Sequence, residues 1–355
     1  MAVTPRDVVE SLPAYKPGRN PDDLARELGL SSAIKLASNE MGYGPLPSVV
    51  TAVTQAAGLM NRYPDNGAVA LTAALAAKFG VGVDEVAIGG GSVALLQQVI
   101  AAFAGVGDEV LYGWRSFEAY PLFPPQTGAT SVQVPLKDHT FSLPDLHAAI
   151  TSATKVILVC NPNNPTSTAV SAGLREFIDT VPSNVLVVLD EAYREFVGPD
   201  IPDGMTLRRD NVLVLRTFSK AYGLAGLRVG YGVGSPDVIE AVRKLQLPFS
   251  ISSVAQAAAI ASLGSEDELL ARVADCIGER DRVSKELTNL GYLVPESHAN
   301  FVWLPLEDRA TAFAAMCESQ GVIVRPFAGD GVRVTIGTPE ENDRFLTVAA
   351  SPAAF

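Results

Sequence analysis

Short apolar runs recur through the first two thirds of the chain. Residues 83–88, 109–112, 130–134, 155–160, 185–193 and 211–215 each have the length and composition of a buried strand. Several stretches before and between them space their apolar residues for helices. These are 48–60, with apolar positions 49, 50, 53, 56 and 57, then a segment ending at Phe79, and 93–104 and 171–180. Asn20 and Pro21 supply the cap and first position of a helix over 22–28. Residues 34–40 read as a short strand entering a Gly/Pro-rich loop at 41–47, and 61–67 as a second loop. Strand and helix thus alternate from 83 to 233, which predicts a mostly parallel sheet with helices on both faces. From about residue 236 the pattern changes. Helices over 236–247, 252–263 and 266–290 precede small strands at 300–304, 322–325 and 331–336, with a helix over 309–319. The expectation is an α/β chain with an arm over 1–35, a large domain over 36–248 and a smaller α/β domain over 249–355.

Polar residues gather where the apolar runs stop. Asp190 and Glu191 end one run, and a carboxylate there needs a cationic or hydrogen-bonding partner. Asn161-Pro-Asn-Asn-Pro-Thr166 follows another and cannot be helix. Gly89-Gly-Gly-Ser92 opens the helix over 93–104. Helix N-termini favour anions, although a purely structural turn fits this segment equally well. The run 211–215 leads into Arg216-Thr-Phe-Ser-Lys-Ala-Tyr-Gly-Leu-Ala-Gly-Leu-Arg228. Burial at a strand mouth lowers the pKa of Lys220 and makes its amine a nucleophile toward carbonyls. Thr217, Ser219 and Arg228, with glycines at 223 and 226, suit a phosphate, and Arg216 adds local positive charge. A Schiff-base lysine beside a phosphate cup describes a pyridoxal phosphate site; a loop lysine with incidental hydroxyls is the alternative from this stretch alone. Phe117 or Trp114 could stack on a flat ring or simply fill the core. Arg325 and Arg333 lie eight apart in short β patterns and read equally as solvated strand arginines.

Composition narrows the classes. The 355 residues are 48% hydrophobic and 19% charged, enough for a large core. A net charge of −12 argues against nucleic acid or an anionic membrane as the main partner. Cys160, Cys276 and Cys317 read as buried reduced thiols, which suits the cytoplasm. The three histidines make no metal-ligand spacing. No apolar run is long enough to span a bilayer, and the first residues lack the pattern of a signal peptide. The expectation is a soluble cytoplasmic protein.

Four spaced motifs carry a resemblance: Asn161 to Thr166, Asp190-Glu-Ala-Tyr193, Arg216 to Arg228, and Gly331-Val-Arg-Val-Thr-Ile-Gly337. In this order they resemble fold-type-I pyridoxal phosphate (PLP) aminotransferases. Lys35-Leu-Ala-Ser-Asn-Glu40, Asn61-Arg-Tyr-Pro-Asp65 and Ala299-Asn-Phe-Val-Trp303 are similar to the histidinol-phosphate aminotransferase branch. Gly44-Pro-Leu-Pro-Ser48, Trp114-Arg-Ser-Phe117 and Asn161 to Ser167 most resemble its actinobacterial aromatic amino acid (phenylalanine) aminotransferases. The likeness covers nearly the whole chain. It implies a seven-stranded, mostly parallel sheet in the large domain and a homodimer.

The resemblance also assigns roles. It implies that Lys220 is the Schiff-base lysine and α-proton shuttle, and that Asp190 partners the pyridine nitrogen. Asn164 and Tyr193 become donors to the ring's phenolic oxygen. Ser92, Val93, Thr217, Ser219 and Arg228 become the phosphate cup, with Tyr63 reaching it from a second subunit. Phe117 becomes the stacking ring. Arg333 would grip the substrate carboxylate, with Arg325, Tyr15 and Asn39 also binding substrate. Two departures stand out: Asn39-Glu-Met-Gly-Tyr-Gly44 replaces a more polar loop, and Ser167 stands where glycine is usual. The apolar Met41 and Tyr43 favour an aromatic side chain over an imidazolyl phosphate. The expected reaction moves an amino group from an aromatic amino acid to 2-oxoglutarate. Its rivals are histidinol-phosphate transamination and PLP-dependent decarboxylation of a phosphorylated amino acid. A PLP-binding transcriptional regulator would need a DNA-binding domain, and the acidic balance argues against one.

Overall fold

The computed structural model describes residues 3–12 and 18–351. Its strands begin with β1 (Ile34–Lys35), β2 (Val86–Gly89), β3 (Glu109–Trp114), β4 (Thr130–Pro135), β5 (Thr154–Cys160) and β6 (Leu186–Asp190). They continue with β7 (Val212–Thr217), β8 (Gly230–Val233), β9 (Phe301–Leu304), β10 (Val322–Ile323), β11 (Arg325–Phe327) and β12 (Gly331–Thr335). Seven of them form one sheet in the order β2-β8-β7-β6-β5-β3-β4. The pairs from β4 through β7 are parallel. β8 runs antiparallel to both β7 and β2. The link from 218 to 229 holds a short turn, Ala225–Leu227, and no crossover helix, so β8 returns in the opposite sense. β6 and β7 are buried along their whole length, which is why the sequence shows unbroken apolar runs rather than alternation there.

Two apolar clusters hold the sheet. One joins β5, β6 and β7 to helices Ser92–Phe103, Leu174–Thr180 and Pro236–Lys244. The other joins β2, β8 and Phe218 to helices Val69–Phe79, Ser253–Leu263 and Glu266–Asn289, and runs on into β9 and β12. β11, β12 and β9 form a second, antiparallel sheet, while β1 pairs parallel with β10. Among the described residues no helix is long and apolar enough to cross a membrane, and no group of acidic, His or Cys side chains could hold a metal ion.

Several boundaries differ from the sequence expectation. The strand expected over 185–193 stops at Asp190, because Glu191 begins a turn: its N–H bonds Leu215 O at 2.9 Å and its carbonyl accepts from Arg194 N–H at 3.1 Å. The strand expected over 34–40 ends at Lys35, and that over 322–325 splits into β10 and β11. The turn Val83–Glu85 precedes β2, and its Glu85 carboxylate accepts from the Gly82 N–H just before it. Period-two reasoning sees the apolar residues but not which of them find ladder partners.

Gly230, opening β8, fixes how closely that strand meets the turn before helix Ser92–Phe103. A Cβ there would lie 2.5 Å from Ser92 N, 2.8 Å from Gly91 C and 3.0 Å from Arg216 O, all backbone atoms. Gly230→Ala is therefore expected to cost about 1–3 kcal/mol in chemical denaturation through overpacking. Unchanged stability would mean that the two segments separate freely.

Candidate active site

The parallel strands β3, β5, β6 and β7 deliver their carboxyl ends to one edge of the sheet, where open α/β sheets bind ligands. A cavity of about 480 Å³ opens there. Its wall contains Asn39, Ser92, Val93, Phe117, Asn164 and Asp190, with Tyr193, Thr217, Ser219, Lys220, Arg228, Arg325 and Arg333. Alternation along a strand decides which residues enter. Thr217 faces the cavity, so its neighbour Arg216 does not. Arg216 instead donates to the buried Glu191 at 2.7 and 3.0 Å and to Asp203 at 2.5 Å. The expectation that Arg216 sets the field of the pocket is thereby corrected: its charge is committed on the other side of the strand.

Asp190 is 5% exposed. Its Oδ2 accepts from the Tyr120 hydroxyl at 2.9 Å. Its Oδ1 is buried with no hydrogen-bond partner among the described residues. Burial pushes the carboxyl up to about 6, opposed chiefly by the Tyr120 hydrogen bond, then by the Ala192 N–H and the charge of Lys220. A buried carboxylate oxygen with an open lone pair calls for a charged donor from a ligand. The protonated ring nitrogen of PLP has that chemistry.

Lys220 follows the β7 end by three residues and is half-buried. Its Nζ donates to Ser38 O at 3.1 Å. Burial lowers its pKa to about 7, helped by the positive charges of Arg333 and Arg228 and opposed by Glu40 and Asp190. An amine in that range is largely available as a nucleophile near neutrality.

The opposite end of the cavity suits a phosphate. Gly91 holds φ at +83°, and helix Ser92–Phe103 starts directly after it. The first N–H groups of that helix have no intrahelical acceptor and form the positive end of the helix dipole. Arg228, itself left-handed at φ 55°, reaches Ser219 Oγ at 3.2 Å and Ala225 O at 2.9 Å. The Ser219 N–H donates to Thr217 Oγ1 at 3.1 Å. A Cβ on Gly91 would stand 2.7 Å from Arg228 Nη2, so glycine keeps the guanidinium close to the helix start. The donor set fits PLP at both ends.

On the remaining side, Arg333 donates to Asn164 Oδ1 and, at 2.7 Å, to Ala37 O. Asn164 follows cis Asn161–Pro162 and precedes a cis bond to Pro165, which turn the chain at the β5 end. The Tyr193 hydroxyl accepts from Asn39 Nδ2 at 2.9 Å, leaving its own proton to donate elsewhere. Asn39 is 1% exposed and also bonds Thr335 through Oδ1 and through its N–H, so its polar groups position Tyr193 and the β12 end. Phe117 lies half-buried, edge to face with Tyr120 at 5.7 Å. Arg325 forms an ion pair with Glu118.

Tyr63, expected to reach the phosphate of a second subunit, does not line the cavity of its own chain. Tyr63 is 83% exposed and stacks on Phe249 at 4.7 Å. Tyr15 lies outside the described residues. Tyr120 and Glu118 were missed by sequence reasoning. Both belong to the aromatic loop after β3, and a hydroxyl three residues beyond Phe117 in the apolar setting Ala119-Tyr-Pro121 was the available signal for Tyr120.

Residues 31–348 match the family described as Aminotransferase class I and II. The chain is 56% identical to a protein of Thermobifida fusca named aromatic amino acid aminotransferase, over 97% of this chain and 96% of that one. It is also 56% identical to a protein of the same name from Mycobacteroides abscessus, over 96% of both. Among solved structures, the histidinol-phosphate aminotransferase of Sinorhizobium meliloti, in complex with pyridoxal-5'-phosphate, superposes with a TM-score of 0.89 at 30% identity, over 96% of this chain and 95% of that one. With a fold-type-I sheet, a strand-end acid and a strand-mouth lysine on one cavity, the chain belongs to the class I and II aminotransferase family.

Proposed function

We propose that this protein transfers the amino group of aromatic amino acids to 2-oxoglutarate, using PLP held in the cavity described above. The observation that carries the reading is the convergence, on one cavity, of an open buried carboxylate oxygen, a lysine of lowered pKa and a strand arginine. The names of the relatives at 56% identity support the aromatic substrate. So does the apolar flank formed by Phe117, Ala119, Leu122 and Phe123. In this reading the unit over 36–248 binds the cofactor, while the arm over 1–35 and the unit over 249–355 complete the substrate side.

Lys220 would hold the cofactor through its aldehyde and Asp190 through its ring nitrogen. Ser92, Val93, Thr217, Ser219 and Arg228 would hold the phosphate, with Tyr193 and Asn164 at the phenolic oxygen and Phe117 against the ring face. The bound cofactor supplies the electron sink that makes an amino acid's α-proton removable. Arg333 grips the α-carboxylate with a planar fork and so fixes the α-carbon. Lys220, once its amine is free, moves the proton at that carbon. Asp190 keeps its ion pair inside a dry site, where charge stabilisation is strongest. A homodimer belongs to the same reading: exposed Leu59, Met60, Tyr63, Leu245, Leu247 and Phe249 give a second copy apolar surface to cover.

Three outcomes are expected. Lys220→Ala should abolish both the visible absorbance of the purified holoenzyme and turnover of phenylalanine with 2-oxoglutarate; retention of either removes Lys220 from its role. Side-by-side turnover should favour phenylalanine over histidinol phosphate, and the reverse preference would transfer the protein to histidine biosynthesis. The third concerns pH. Lys220 is charged below about 7 and neutral above it, against 10.5 for an unburied lysine. Reconstitution of apoenzyme with PLP, followed by absorbance, should therefore accelerate as pH rises through about 7. The same depressed value implies a stability penalty that is full below about pH 7 and fades as pH rises toward 10.5, because the unfolded chain binds the extra proton in that window. A reconstitution midpoint above pH 9 would contradict the lowered value.

A further inference from the structure

Two arginines enter the substrate side of the cavity from neighbouring strands. Arg325 on β11 is the direct antiparallel partner of Arg333 on β12. Directly opposed residues place their side chains on the same face, and like charges so placed repel. Both guanidiniums lie near the Phe327 ring, at 6.0 and 5.7 Å. The compensation comes from the loop after β3. Glu118 accepts from Arg325 Nη2 at 3.0 Å through Oε1 and at 2.9 Å through Oε2, and from Nε at 3.3 Å. The pair lines the cavity, with side-chain exposures of 16% for Arg325 and 30% for Glu118. That is dry enough for the charge balance to matter and wet enough for the carboxylate to turn out into water.

We propose that Glu118 is a specificity-determining residue, a displaceable counter-ion that lets one pocket accept both a neutral aromatic side chain and the distal carboxylate of an acidic 2-oxo acid. This rests on the reading that the enzyme alternates between those two substrate classes. An aromatic amino acid brings one carboxylate, which Arg333 takes. Its uncharged ring then needs a neighbour without net charge, and the Glu118–Arg325 pair provides one beside Phe117, Ala119 and Leu122. A dicarboxylic 2-oxo acid brings a second carboxylate. It can replace Glu118 on the Arg325 fork, since the chemistry of the two acceptors is the same. The loop backbone need not move, because its neighbour Tyr120 stays bonded to Asp190.

The test measures the binding of two unreactive analogues to holoenzyme by calorimetry, glutarate for the dicarboxylate and 3-phenylpropanoate for the aromatic acid. Glu118→Gln removes the charge at constant shape. It should tighten glutarate on the order of tenfold and leave 3-phenylpropanoate equal or weaker, so that the ratio of the two Kd values shifts at least tenfold. Glu118→Asp should restore most of the wild-type ratio. KM for 2-oxoglutarate should fall in the Gln variant, and KM for phenylalanine should stay equal or rise. A ratio that moves less than twofold, or equal weakening of both analogues, would overturn the proposal and leave Glu118 as a structural ion-pair partner. Because the analogues bind without reacting, this result is separable from a failure of wild-type enzyme to turn over phenylalanine, which would count against the proposed reaction instead.

Discussion

A carboxylate stands at the end of a strand buried along its whole length, with one oxygen paired and the other open. Everything at the site is arranged around that cost. Tyr120 holds Oδ2 at 2.9 Å, so Asp190 cannot rotate freely to find another partner. Oδ1 then points at an uncompensated position in a dry environment, where an unpaired charge is expensive. The burial that strains Asp190 also discharges Lys220, and it does so with opposite consequences: the acid's pKa rises and the base's falls. A ligand that brings a cationic nitrogen to the acid and an aldehyde to the amine relieves both at once.

The charge pattern of the pocket runs against that of the chain. The protein carries −12 overall, yet among the described residues lining the cavity the cations Lys220, Arg228, Arg325 and Arg333 outnumber the acids Asp190 and Glu118. Strand alternation makes this separation possible. Thr217 turns into the cavity while Arg216 turns away to Glu191 and Asp203, forming a second buried charge cluster behind β7. The site is thus backed by an ion network that never touches it, and two sheets contribute to one cavity because β11 and β12 set their arginines opposite the β6 and β7 ends.

Much of this was legible in the sequence, and for a physical reason. Strands buried on both faces appear as unbroken apolar runs, and the residues that interrupt them at their carboxyl ends are the ones with chemistry, as Asp190, Asn164 and Lys220 illustrate. What stayed hidden depends on contacts made across the fold. Nothing local marks Tyr120 as the partner of Asp190, seventy residues away, or Glu118 as the partner of Arg325, 207 residues away. Alternation turns Arg216 away from the Thr217 side, but nothing local marks Glu191 and Asp203 as its partners. The antiparallel sense of β8 was equally hidden, because it rests on the absence of a crossover helix rather than on any apolar pattern.

The central claim is that Asp190 keeps a cofactor ring nitrogen protonated inside this cavity. Nitrogen-15 NMR of holoenzyme reconstituted with ring-labelled PLP measures that proton directly. The account predicts a pyridinium chemical shift that persists from pH 6 to 9 in the wild type and moves to the neutral pyridine range in Asp190→Ala. A neutral shift in the wild type, or a shift unaffected by the substitution, would contradict it.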